Sequence, residues 1–390
     1  MFPYRNMLMR YLKSGRKEYA LSIFLFIKQF VDMLYKWQWL DIVMVMLAFG
    51  MLGYQYLLVR PDLKKEFRAA DAVVAALALL STISFIRDID AYQAYIKVMS
   101  AFLLYFMGRL YYDRVLECDD ALALSSYLIV YINFIHRIVN FGSHFLQVKN
   151  AEGDFYFYDT DMAYAIVLAF IFIAMFARKS IFKYVTLFLV CPYMVICSDA
   201  GIQTILLAVI AVVLLMYVLE VALKKKKLAM AGLGLLILAL MAAVALIYIP
   251  LLTGDTSGTW AIFGGNTVLD VANMESRYAQ WQQVYAIRKP ETILEIMFGI
   301  SFNTHLPLMS FYLKLLYTVG VAGALLVLML MLQVFKAAYK GEDRKSFYIT
   351  VMLAILMLGS GVTFNTMESL QMSWFMMLFA GMVISAEGRE

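Results

Sequence analysis

The chain's 390 residues are 63% hydrophobic and only 16% charged, with a mean hydropathy of +0.77 and a formal net charge of +5. Soluble domains carry about 25% charged residues, so the composition excludes a water-soluble globular chain of this length. The apolar runs are continuous and about 17–25 residues long, which reads as helical spans and excludes a transmembrane barrel, whose strands alternate in polarity.

In chain order the predicted spans are 19–35, 41–59, 70–86, 94–111, 121–139, 162–177, 184–199, 201–220, 229–250, 308–334, 347–364 and 372–386. The expectation is an all-α polytopic integral membrane protein with about twelve transmembrane helices. The first span is the weakest, because Lys28 and Asp32 interrupt it, and a helix lying flat at the interface is the alternative. The basic stretch before it lacks a small-residue cleavage site, so no cleavable signal peptide is expected. Cys118, Cys191 and Cys197 lie in or beside apolar runs and fit neither a disulfide framework nor a metal box. No internal repeat or Gly/Ser-rich linker is visible, and 1–390 reads as a single transmembrane domain.

Lys and Arg set the orientation. With the N-terminus inside, 23 of the 33 Lys and Arg fall in cytoplasmic pieces, 7 fall in outer pieces, and Lys28, Lys97 and Lys314 sit within spans. Both termini are therefore expected in the cytoplasm. The basic residues are topology signals and leaflet contacts rather than a nucleic-acid surface, so no nucleic-acid partner is expected. Two outer loops are substantial. The smaller, 140–161, carries Asn140, His144, Glu152, Asp154 and the aromatic run Phe155 to Tyr158; the larger is 251–307.

A chain that only spanned the membrane would not need the polar interval 251–307, so the chemistry is expected there. Arg277, Trp281, Val284 and Arg288 are spaced 4, 3 and 4 apart and fall on one helical face. Guanidinium groups suit bidentate phosphate contacts, and Trp offers a flat surface to a sugar ring. An amphipathic helix lying on lipid headgroups explains the spacing equally well. Glu275 reads as a base, an orienter of Arg277, or a favourable charge in a first helical turn. Further on, Gly299 to Pro307 leads into the tenth span, with Asn303 or Thr304 as its expected cap and Pro307 in its first turn. His305 would then sit at a helix N-terminus, which attracts anions and favours a neutral imidazole able to accept a hydroxyl proton. A surface histidine without a role is the bland alternative.

Other polar groups at the outer ends of spans are His136 with Arg137, the turn Arg87, Asp88 and Asp90, and Asp199. They are read either as lining the same outward cavity or as snorkelling groups and local ion pairs. Asp88 and Asp90 have the spacing of a metal-binding dyad, but a two-residue pattern on the outer side is too weak to predict a metal. Lys314, about two turns below His305, reads as part of an anion site or as an interfacial anchor.

Ser276, Arg277 and Trp281, the Phe298-Gly299 turn, His305, and the helix Ser310 to Gly323 resemble the O-antigen polymerase and ligase family of bacterial surface-polysaccharide proteins. The motif match covers about 275–325, while the general layout is similar over the whole chain. One departure is Ser198-Asp199-Ala200-Gly201, where the family often has Ser-Arg-Gly, so no phosphate contact is expected from that turn. The resemblance implies a GT-C-like glycosyltransferase architecture in the bacterial cytoplasmic (inner) membrane. It also implies extracytoplasmic transfer of an oligosaccharide from a polyprenyl-diphosphate carrier, with membrane lipid, a chain-length regulator and a flippase as partners. It implies Arg277 as a diphosphate contact and His305 as an activating or positioning group; Arg288 is added by helical spacing.

The expected chemistry is a metal-independent, cofactor-free, inverting transfer onto a second lipid-linked glycan. Catalytic candidates are His305, Arg277 and Glu275; substrate-binding candidates are Arg288, Trp281, Lys314, Arg137 and Arg87. The alternatives are a ligase acting on a lipid core and a twelve-helix secondary transporter. The transporter is weakened by the short link between the sixth and seventh spans and the lack of half-to-half similarity.

Overall fold

A computed structural model describes residues 20–34, 38–59, 67–111, 118–142, 159–198, 201–253, 261–262, 266–267, 274–304, 308–341 and 343–386. It covers the backbone alone at 38, 58–59, 141, 159, 246–253, 261–262, 266–267 and 274–278. The helices are α1 (Ala20–Val31), α2 (Gln38–Val59), α3 (Ala69–Ile86), α4 (Tyr92–Leu110), α5 (Asp119–Phe141) and α6 (Asp159–Phe176). They continue with α7 (Ile181–Cys197), α8 (Gly201–Val221) and α9 (Lys226–Thr253). A two-residue antiparallel pair, β1 (Ala261–Ile262) with β2 (Asn266–Thr267), precedes α10 (Met274–Ile287) and α11 (Ile293–Phe298). The chain closes with α12 (Phe311–Lys340), α13 (Arg344–Ser360) and α14 (Leu370–Ala386).

Six of these helices are long and apolar enough to cross a membrane by length and composition: α2, α3, α5, α8, α9 and α12. Large apolar side chains stand exposed along them, among them Met46, Leu57, Leu79, Leu235 and Leu238. So broad an apolar surface is the outside of a protein solvated by lipid. The described architecture is that of a helical membrane protein.

The bundle is organised around α14, which is apolar on every side and buried almost throughout, as expected for a core helix. Its nearest neighbour is α4. A Cβ on Gly108 would lie 2.0 Å from the Leu378 carbonyl, and one on Gly381 would lie 1.9 Å from that of Tyr105. Small residues let helix backbones approach closely where lipid supplies no hydrophobic drive for association. Trp374 Nε1 donates to Ser100 Oγ at 2.9 Å across the same contact.

Predicted spans and observed helices coincide within a few residues in most cases: 70–86 against Ala69–Ile86, 94–111 against Tyr92–Leu110. The clearest difference is the helix after the polar interval. It starts at Phe311 rather than 308, and Ser310, not Asn303 or Thr304, is its N-cap. The Phe311 amide donates to the carbonyls of Gly361 at 2.9 Å and Phe364 at 3.1 Å. The turn after α13 thus satisfies the first orphan amide of the helix, and that fixes the start.

Helix α12 is also broken. Gly320 has φ +67° and ψ −167°, so the chain leaves helical geometry there and resumes it at once. Gly299, at φ +80°, lies against it: a Cβ on Gly320 would lie 2.5 Å from the Gly299 nitrogen, and one on Gly299 would lie 2.1 Å from the Thr318 carbonyl. Only glycine tolerates both the positive φ and the contact. Ile300 N–H donates to the Tyr317 carbonyl at 2.7 Å, satisfying a group the break would otherwise orphan.

Candidate functional site

A cavity of about 760 Å³ opens at one end of the bundle, within the range of small-molecule sites. Its wall is assembled from the end of α1 (Val31, Asp32), the start of α2 (Asp41), the start of α4 (Asp90 to Ala94, Lys97) and the start of α6 (Asp161). Phe302 to Thr304, Leu308, Met309 and Lys314, with the turn before α14 and its first residues (Phe364, Asn365, Glu368 to Gln371), complete it. The basic turns Arg178–Lys183, Lys224–Lys227 and Lys340–Lys345 follow the far ends of α6, α8 and α12, so they mark the opposite end.

Lys314 is the anchor of one wall. Its Nζ donates to the Phe302 carbonyl at 2.8 Å and pairs with Glu368 Oε1 at 3.2 Å. It is buried, and one carbonyl hydrogen bond and one carboxylate ion pair hold its charge. Across the cavity Lys28 pairs with Asp32 one helical turn on, and Lys28 also sits over the Trp374 ring at 4.9 Å. Gln371 donates to the Asp161 carbonyl at 3.0 Å, which ties α14 to the start of α6. A smaller, mostly apolar recess continues inward from Phe302, Lys314 and Glu368 between Ser81, Val98, Phe102 and Thr318.

The sequence-derived candidates fall into separate places. Lys314 lines the cavity. Arg87 stands beside it as a strut: its guanidinium donates to the Gly299 carbonyl and, at 3.3 Å, to that of Ile300. Arg137 is buried elsewhere, with Nε on Tyr193 Oη at 3.2 Å and the guanidinium 5.8 Å from the Tyr193 ring. Trp281 lies 4.1 Å from Tyr285, ring to ring, and joins a second apolar cluster of Val284, Ile300, Leu308, Leu313, Tyr317 and Val362. Arg288 follows the last turn of α10, is exposed, and pairs with Glu295 at 3.4 Å.

The stripe Arg277, Trp281, Val284, Arg288 is therefore packed at its centre, with Val284 wholly buried, rather than open along its length. Burial among these rings raises the Tyr285 hydroxyl above its ordinary value. The Glu291 amide, 2.7 Å from its carboxylate, holds Glu295 below the usual carboxylate range, with Arg288 assisting. The helix containing Glu275 and Arg277 is described, but their side chains lie outside the described residues, as does His305. The residues flanking His305, Phe302 to Thr304 and Leu308 to Met309, line the cavity. Of the outer loops, 143–158 also lies outside the described residues.

Sequence reasoning missed the acidic wall. Asp41, Asp161 and Glu368 were not singled out, and Asp32 counted only as an interruption. A signal was available: each lies at or beside the end of a predicted span, or in the turn between two spans, on the side that the charge bias places outside. Among the described residues no His, Cys, Asp or Glu group is gathered to hold a metal ion. The acids are spread around the wall, between the amides of Gln93, Asn303, Asn365 and Gln371. Such a lining accepts hydrogen bonds from many directions and suits a hydroxyl-rich ligand. No family model matches the chain, and no curated protein matches it.

Proposed function

We propose that this chain is a multi-pass enzyme of the bacterial cytoplasmic membrane that transfers an oligosaccharide from a polyprenyl-diphosphate carrier onto a second lipid-linked glycan. In this reading the six long apolar helices and six others (α1, α4, α6, α7, α13 and α14) make twelve crossings in a GT-C-like arrangement. Both termini are inside, and the cavity faces outward. The observation that carries the proposal is the cavity itself: lined by both polar and apolar side chains, open at the end away from the basic turns, and walled by the stretch that flanks His305.

The acceptor hydroxyl attacks the anomeric carbon of the donor sugar, the bond from that carbon to the phosphate oxygen breaks, and polyprenyl diphosphate leaves. The hydroxyl proton passes to a base, for which His305 is proposed. Arg277 stabilises the charge developing on the leaving diphosphate. A single displacement inverts the anomeric centre, and the donor is already activated, so the scheme uses no metal or nucleotide.

The test is chemical. Purified protein given a lipid-diphosphate oligosaccharide should produce a ladder of longer glycans, and Arg277→Ala should abolish it while the protein stays in the membrane. His305→Ala should lower turnover more than donor binding. Transfer only onto a lipid core would assign the ligase reaction instead. One observation favours a secondary transporter as a second reading: the break of α12 at Gly320, since discontinuous helices line substrate sites in many carriers. Solute flux in sealed vesicles with the glycan left unchanged would establish that alternative.

A further inference from the structure

The cavity's charge balance bears on which sugars it takes. Seven acidic or basic side chains of the described residues line it: Asp32, Asp41, Asp90, Asp161, Glu368, Lys97 and Lys314. Two of the carboxylates are already matched, Asp32 by Lys28 and Glu368 by Lys314. Asp41, Asp90 and Asp161 remain, with Lys97 as the one further lining cation among the described residues, and among those residues no ion pair holds any of these three acids. Asp41 and Asp161 are half-buried, so solvent and salt screen them less than open surface charges.

A ligand entering this wall meets dispersed carboxylates separated by amides and the Tyr92 ring, rather than one gathered ion site. Carboxylates accept hydrogen bonds from sugar hydroxyls and, more strongly, from an ammonium group. A sugar carboxylate would add like charge to a wall already in acidic excess, which acts against the wrong partner.

We propose that the cavity selects sugars bearing a free, protonated amine, accepts neutral sugars less well, and rejects acidic ones. This rests on reading the cavity as a glycan site. Binding to the purified full chain in detergent is measured by calorimetry with four probes: a glucosamine tetramer, its fully N-acetylated counterpart, a galacturonate tetramer, and spermidine. The expected order is glucosamine, then N-acetylglucosamine, then galacturonate, with about tenfold between the first two, the size of one added charge-assisted contact.

Asp41→Asn with Asp161→Asn should bring the ratio of glucosamine to N-acetylglucosamine affinity close to one. The exposed Asp90→Asn, which leaves both half-buried acids in place, should lower that ratio by a smaller factor and serves if the double variant does not fold. Binding of spermidine as tight as that of the glucosamine tetramer would show that charge alone is read and would overturn the sugar assignment. Galacturonate binding as well as or better than glucosamine would overturn the charge assignment while leaving the glycan reading intact. No binding by any of the three tetramers would remove the glycan reading itself.

Discussion

The two ends of this bundle differ in how completely their acids are paired: the cavity end holds the Lys28–Asp32 and Lys314–Glu368 pairs but also acids without one. At the basic end, Asp71 receives Arg109 through Nε at 2.9 Å and Nη2 at 3.0 Å, and Tyr105 Oη at 2.8 Å, while Arg109 also donates to Ser385 at 2.7 Å. Glu220 is held the same way, by Arg344 at 2.7 Å and Tyr348 at 2.8 Å. At the cavity end, Asp41, Asp90 and Asp161 have no ion pair among the described residues. A buried charge that is fully partnered holds helices together; one left facing a recess is available to something that enters.

The sharpest way to break this contrast is to remove one acid from each end. Asp71→Ala strands the Arg109 guanidinium in the core and should cost about 3–5 kcal/mol, whereas Asp161→Ala should cost no more than about 1 kcal/mol. Thermal unfolding in detergent measures both, and equal losses would erase the distinction between the ends. Gly320→Ala should cost about 1–3 kcal/mol by the same measurement, because alanine is strained at that positive φ and its Cβ would strike Gly299.

Lys314→Met works in the other direction from the aspartate variants. It releases Glu368 from its partner and makes the cavity more acidic, so preference for an amine-bearing sugar should rise about tenfold, the size of one charge-assisted contact made to the freed carboxylate. An unchanged ratio would show that Glu368 does not face the ligand.

The smallest effect is expected at the exposed ion pair of Arg288 and Glu295. The Glu295 carboxyl is lowered in the folded chain, so its contribution is complete above the ordinary Glu value and is lost as pH falls through the lowered one. Glu295→Gln should remove that acid-side slope, with an effect under about 1 kcal/mol because the pair is solvated. A titration of unfolding temperature from neutral to acid pH, with and without the substitution, checks the sign.

Much of the helical layout was legible because lipid burial leaves long uninterrupted apolar runs, and α3 and α4 were located to within about two residues. The break at Gly320 was not. A glycine inside an apolar run carries no periodic signal, and what demands it is Gly299, which meets it only in the folded chain. The start of α12 was misplaced for a similar reason: carbonyls from the turn after α13 set it, not a local cap. Asp90 and Lys314 were placed toward an outward cavity, but Asp41, Asp161 and Glu368 were missed because they are contributed singly by segments far apart in sequence. The stripe through Trp281 and Val284 was correctly helical, but periodicity alone does not distinguish a face turned to ligand from one turned to core.

The joint between residues 299–302 and α12 has a mechanical consequence. Arg87 grips Gly299 and Ile300, Ile300 bonds to Tyr317, Lys314 holds Phe302, and the paired glycines lock backbone on backbone. Four independent ties leave this rim little freedom to lose when a guest arrives, so the entropy penalty of capture falls on the visitor instead of on its host. Any displacement the visitor forces on the rim is handed directly to a helix that runs on to the basic end.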